Sequence, residues 1–241
     1  KTAYEISTRD WSSDVCSSDL SSDDGGEHWS RRLDGRQAAQ VVLAAARTGG
    51  DEAAVRDAER LAADGPDKPL LDLLVLGGAR LLVVGAYGLA LESEDGGHTW
   101  QSWMPRLPNP KGLHLYAARQ RGQTLLLAGE QGLVLLSSDA GHSFRRVETP
   151  YKGSFFSAEL LSEQDIVLAG LRGTTLRSTD GGATWAPVTV PMPATIAATA
   201  LAPDGRLLAA NQAGYVMVLQ GGQLVPLNRA PLPPLKDRKS T

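Results

Sequence analysis

Four short stretches concentrate the side chains that could do chemistry. They are Ser22, Asp24, Gly26, His28 and Trp29; Ser93, Asp95, Gly97, Thr99 and Trp100; Ser137, Asp139, Gly141, Ser143 and Phe144; and Ser178, Asp180, Gly182, Thr184 and Trp185. The Asp-Gly-Gly clusters suggest a calcium loop, but the spaced oxygen ligands and the closing Glu of such a loop are missing. His28, His98, His114 and His142 suggest a metal set. Three of them lie inside separate stretches, however, and metal ligands must converge within a few ångströms. No Ser–His–Asp arrangement stands out. The Gly-x-x-Gly sequences lack the following helix and Lys that phosphate binding requires. The expectation is therefore no catalytic residue, no metal and no cofactor. What the four stretches do suit is a turn. The Asp accepts hydrogen bonds from backbone N–H groups of its own turn. The closing aromatic packs between neighbouring strands, where a large ring buries much apolar area.

The elements around these turns repeat. Leu81–Trp100 (LLVVGAYGLALESEDGGHTW) recurs as Leu125–Phe144 and Ile166–Trp185, and a worn copy starts at Leu207. The starts are 44, 41 and 41 residues apart. Each unit opens with a short apolar run, then Gly-x-x-Gly (Gly85–Gly88, Gly129–Gly132, Gly170–Gly173), then a second apolar run and the Ser-x-Asp turn. Glycines between β-prone runs read as tight hairpin turns at positive φ. A period near forty with strand-like units inside it is the signature of a radial repeat. The fold class expected is all-β, a β-propeller of four-stranded antiparallel blades. In one blade the strands fall at Leu70–Leu76, Leu81–Ala86, Leu89–Ser93 and Thr99–Trp103.

From Asp24 to Asp95 the spacing is 71 residues, against 44 and 41 later. The excess is Ala-rich, with apolar residues at helical spacing in Arg36–Arg47 and Asp51–Ala63. Gly49–Gly50 separates the two runs, Asp51 is a plausible N-cap, and Gly65–Pro66 ends the second. This reads as a helical hairpin inserted at about residues 36–64, its narrow apolar stripe lying on the propeller.

The ends share nothing with the repeats. Asp10–Leu20 and Lys1–Ile6 can be encoded by two parts of one sequencing-library adapter, and Asp237–Thr241 by part of its reverse complement. Residues 1–20 and 237–241 are accordingly expected to be adapter-derived, and 21–236 an internal slice of a longer gene. Cys16, the single cysteine, lies in the first flank, so disulfide and thiol chemistry are excluded for the slice. Inside the flanks 20 basic residues face 22 acidic ones, a balance that gives no reason to expect nucleic acid. No apolar run approaches the ~18–20 residues of a transmembrane segment.

Antiparallel blades put the Ser-x-Asp turns at one end and the Gly-x-x-Gly turns, with the blade-to-blade links, at the other. The second end varies most between copies, and loops on a rigid scaffold carry binding. The candidate binding face is Tyr87, Lys111, His114, Glu130, Gln131, Tyr151, Lys152 and Arg172.

The four turns are Asp-boxes. With GAYG…SEDGGHTW, LAGEQG, PYKGSFF and GLRG…STDGGATW, the chain resembles the photosystem II stability/assembly factor-like family of sialidase-like (BNR) propellers over about Ser22–Leu227. The resemblance implies a seven-bladed propeller, of which about five blades are visible. It implies a non-catalytic scaffold or assembly factor, exported to the lumen or periplasm, with a protein partner such as a membrane protein complex. The helical insert departs from the photosynthetic form. The alternative is a sialidase-type glycoside hydrolase, which needs an arginine cluster and a Tyr nucleophile paired with a Glu. Arg172, Tyr87, Tyr151, Glu130 and Glu159 offer those residue types, but the Arg-Ile-Pro motif of true sialidases is absent.

Overall fold

Each apolar run of the repeat becomes a strand because glycine-bearing turns bound it on both sides. The computed structural model describes residues 3–7, 18–22, 24–227 and 230–233. The chain divides into two compact units, Lys1–His114 and Leu115–Thr241.

The first unit contains a three-stranded antiparallel sheet of β1 (Ala3–Ser7), β2 (Ser18–Ser22) and β3 (Ser30–Asp34). Two helices follow, α1 (Gly35–Gly49) and α2 (Glu52–Ala63). A four-stranded meander then forms from β4 (Leu70–Gly77), β5 (Arg80–Gly85), β6 (Ala90–Ser93) and β7 (Gln101–Ser102). Most of the two flanks assigned to an adapter lies outside the described residues.

The insert is helical where the apolar spacing placed it. Asp34 caps α1 in a reciprocal capping box with Gln37, and Gly50 ends the helix in the left-handed region at φ 73°. Asp51 caps α2 by accepting from Ala53 N–H at 2.8 Å. Ala38, Ala39, Val42, Leu43, Ala58 and Leu61 bury their stripe against Leu33, Leu70, Val83, Leu89 and Leu91, so within this unit the hairpin lies on the sheet.

The second unit contains three four-stranded antiparallel meanders. The first is β8 (Leu115–Arg121), β9 (Thr124–Gly129), β10 (Val134–Ser137) and β11 (Arg145–Arg146). The second is β12 (Phe155–Leu160), β13 (Ile166–Gly170), β14 (Thr175–Ser178) and β15 (Ala186–Pro187). The third, from the worn copy, is β16 (Ile196–Leu201), β17 (Leu207–Asn211), β18 (Val216–Gln220) and β19 (Gln223–Pro226). The first strands β8, β12 and β16 lie side by side. Two second strands, Thr124–Gly129 and Ile166–Gly170, are buried from end to end, whereas Leu207–Asn211 is fully buried only at alternate residues.

One expectation needs correction. The fourth strand of the Leu70 blade is two residues, Gln101–Ser102, rather than Thr99–Trp103. Its neighbour Trp103 has no accessible surface; its backbone N–H still donates to Ala90 O at 2.8 Å, and its indole donates to Glu92 Oε2 at 2.7 Å. Of the closing aromatics, Trp100 and Trp185 pack against the buried clusters of their own units without being fully buried. Trp100, Phe144 and Trp185 are half-buried, and Trp29 is 36% exposed. The fully buried large rings are Trp103 and Phe155.

Candidate functional site at the glycine-turn end of the sheets

The two ends of each sheet are built differently. At one end Ser93, Ser137 and Ser178 are buried, and each hydroxyl donates to its own Asp at 2.7–2.8 Å while accepting from the backbone N–H of Gly97, Gly141 or Gly182. The Asp then accepts from the backbone and the hydroxyl of Thr99, Ser143 or Thr184. In the 22–29 turn His28 replaces that hydroxyl, and its Nδ1–H donates to Asp24 at 2.6 Å. These bonds all stabilise the charged carboxylate. The backbone N–H of His28 leads in holding Asp24 well below the usual carboxylate range. The Thr99 and Ser143 hydroxyls do the same for Asp95 and Asp139, and the Thr184 hydroxyl lowers Asp180 to about 2. Asp24, Glu27 and His28 have ligand-type atoms within 4.8 Å of one another. Both Asp24 oxygens already serve the turn, so this exposed trio reads as turn hardware.

At the other end the Gly-x-x-Gly sequence forms a single 3-10 turn, and the sequence reading of it was half right. The first glycine is extended, at φ −168°, −163° and −161° for Gly85, Gly129 and Gly170. It is glycine for lack of space: a Cβ on Gly85 would lie 2.3 Å from the Pro69 carbonyl oxygen, and one on Gly170 2.1 Å from that of Ser154. Positive φ falls on the last glycine and on the residue before it. Tyr87, Gln131 and Arg172 sit at φ 58°, 52° and 54°. A non-glycine residue is uncommon there, and three at one repeat position define a recurrent strained feature.

In the first unit Tyr87 is 45% exposed. Its ring tilts against His114 at 5.5 Å, and Lys68 Nζ lies 5.4 Å from its centroid. Lys68 is almost wholly buried, and its ammonium donates to the Gly65 carbonyl just past α2. Lys111 is exposed on the link whose next residue, Gly112, packs against Gly88. In the second unit the backbone of Tyr151 and Lys152 closes over Gly132 and so over the turn carrying Glu130 and Gln131. The Tyr151 ring tilts against Phe155 at 5.4 Å, and Lys152 pairs with Glu148 at 3.1 Å. Arg172 is exposed, and its backbone N–H reaches Thr195 Oγ1 at 3.4 Å.

Of the hydrolase candidates, Glu159 is engaged by its own neighbours in the second unit. Glu159 is nearly buried and takes Arg119 Nε at 3.0 Å and the Thr199 hydroxyl at 3.4 Å. Those partners tie together the three first strands β8, β12 and β16. Sequence reasoning missed Tyr116 and Phe156 at this end. Their rings meet edge to face at 5.1 Å. Burial, and then the Glu130 carboxylate, push the Tyr116 hydroxyl up.

A search of curated proteins finds no match. Solved structures share the fold at low identity. "YCF48 bound to D1 peptide" is 19% identical with a TM-score of 0.55, covering 66% of this chain and 53% of that one. "YCF48 from Cyanidioschyzon merolae" is 16% identical with a TM-score of 0.54, covering 68% and 57%. The Niastella koreensis GH74 enzyme is 14% identical with a TM-score of 0.61, covering 89% and 35%. This chain thus spans little more than half the length of the two YCF48 structures. The fold is that of a β-propeller. The model of the photosynthesis system II assembly factor YCF48 family matches residues 66–225, most of the repeat array, and the chain belongs to that family.

Proposed function

We propose that this chain is part of a non-catalytic assembly factor that holds a protein partner at the Gly-x-x-Gly end of its sheets. The observation that carries the reading is the repeated left-handed conformation of Tyr87, Gln131 and Arg172. Strained positions persist where the surroundings over-determine them, and they cluster at ligand clamps. At the opposite end the buried hydroxyls and the carboxylates are taken up by the turn itself, and among the described residues a non-glycine residue at positive φ occurs there once, at Ala140. Family membership and a related structure described as bound to a D1 peptide support a peptide-bearing partner. Placement of the intact protein outside the cytoplasm, against a membrane complex, belongs to the same proposal and rests on the family resemblance. We propose separately, from the match of their codons to a sequencing adapter, that residues 1–20 and 237–241 are adapter-derived, which a long read of the source DNA across both junctions decides.

Capture from solubilised membranes of the source organism tests the binding reading. The intact protein should retain a partner that the Arg172→Gly and Gln131→Gly variants lose, while Thr184→Ala retains it. Equal capture by all variants would remove the Gly-x-x-Gly end as the binding face.

A further inference from the structure

Every four-stranded sheet carries a bulge at the same place in its first strand. Pairing runs from Leu70–Gly85 to Asp72–Val84, and from Leu115–Gly129 to Ala117–Ala128. It runs from Phe155–Gly170 to Ser157–Ala169, and from Ile196–Asn211 to Ala198–Ala210. The skipped residues are Leu71, Tyr116, Phe156 and Ala197. A bulge leaves its extra residue out of the ladder and re-aims its side chain, and bulges are over-represented next to functional sites. The residue before each bulge is core: Leu70, Leu115, Phe155 and Ile196 are all buried.

Within the second unit two of the three bulges present rings. Tyr116 and Phe156 are half-buried and meet edge to face at 5.1 Å. Ala197 holds the same bulge in β16 with a methyl group, so the bulge itself does not require a ring. β12 packs beside the turn Glu130–Gly132, and β16 beside Leu171–Gly173. The ring pair therefore sits by turns whose Gln131, Leu171 and Arg172 are exposed. A desolvated aromatic centre inside a polar rim is the anatomy of an interface hot spot.

We propose that Tyr116 and Phe156 are the anchor of the partner site, taking one aromatic or large aliphatic side chain of an extended peptide against their paired rings. The proposal rests on the Gly-x-x-Gly end being the partner face and names the chemistry that it reads. Ring pairs favour such an occupant because they offer apolar area with few rotatable bonds to freeze. The neighbouring turns then meet the peptide's polar main chain with Gln131 and Arg172.

Selection of a displayed random dodecapeptide library on the full chain tests this. The enriched peptides should share one aromatic or large aliphatic position. Synthetic copies should lose affinity by about tenfold or more on Phe156→Ala or Tyr116→Ala, as hot-spot aromatics do. Tyr116→Phe should keep affinity, and melting curves should show that each variant is folded. Peptides without a shared apolar position, affinity unchanged in folded Phe156→Ala, or no enrichment would each overturn the anchor. Enriched peptides lost on Arg172→Gly but indifferent to Phe156→Ala would overturn the anchor and keep the face.

Discussion

The Ser-x-Asp end and the Gly-x-x-Gly end of the same sheets use glycine, polar side chains and aromatics to opposite purposes. At the first, each polar atom answers another within a few residues: Ser137 Oγ serves both Asp139 and Gly141 N–H, and Asp139 serves both the N–H and the hydroxyl of Ser143. At the second, glycine clears room for a backbone carbonyl, and the tension of the turn falls on Tyr87, Gln131 and Arg172. In the opposite turns the residue after the Asp is glycine at Gly25, Gly96 and Gly181, with Ala140 the exception, whereas all three Gly-x-x-Gly turns put a larger side chain at positive φ. On the proposed reading, that difference separates the hardware of the fold from its recognition surface.

The largest test of that separation concerns two adjacent residues. Phe155 has no accessible surface, whereas Phe156 is half-buried on the bulge. Phe155→Ala should cost about 3–5 kcal/mol in denaturant melts, the range for deleting a buried ring. Phe156→Ala should cost well under half of that, its effect appearing in binding. Equal losses would show that the bulge ring is core after all.

Next come the closing tryptophans. Trp100 Nε1 donates to the carbonyls of Arg32 and Gly97 at 3.2 and 3.1 Å, whereas Trp185 Nε1 is buried with no hydrogen-bond partner among the described residues. Trp100→Phe should therefore cost about 1–2 kcal/mol, and Trp185→Phe should be neutral or stabilising, since it removes an unsatisfied donor. Phe144 already fills the corresponding place in its own turn. A similar cost for both substitutions would mean that the indole nitrogens contribute nothing distinct. Ser137→Ala should cost about 1–2 kcal/mol by leaving the buried Gly141 N–H without an acceptor.

Acid should act on the Ser-x-Asp end. The folded pKa values of Asp24, Asp95, Asp139 and Asp180 are depressed, Asp180 to about 2, so their contribution is full above the unfolded value near 4. It is lost as pH falls through the folded values. Stability should decline below about pH 4, and Asp139→Asn should flatten that decline. An unchanged acid limb in Asp139→Asn would remove this turn from the acid response.

Much of the architecture was legible in the sequence, because period and turn chemistry are local. The recurrence of LLVVG, LLLAG and IVLAG marks middle strands, and the Asp51 cap with the Ala-rich stripe marks the insert. The proposed binding end was legible only as a place. Glycine spacing predicted the turn, but positive φ was assigned to the glycines and not to Tyr87, Gln131 and Arg172. A bulge breaks the alternation that a strand reading depends on, so Tyr116 beside Leu115 and Phe156 beside Phe155 looked like continuous apolar run. The Trp103–Glu92–Arg80 package was hidden for another reason. Trp103 N–H reaches Ala90 O as Val147 N–H reaches Val134 O, so the indole stands at a valine's place, and only the fold brings Glu92 and Arg80 to it.

The central claim is tested most directly by making the same chemical change at the two ends. Ala140 in a Ser-x-Asp turn and Arg172 in a Gly-x-x-Gly turn both hold positive φ, at 57° and 54°. Replacing either by glycine should relieve backbone strain and leave the fold as stable as before or better by about 0.5 kcal/mol. Capture of the proposed partner should survive Ala140→Gly and fail in Arg172→Gly. Loss of capture in both, or in neither, would contradict the division of labour between the two ends.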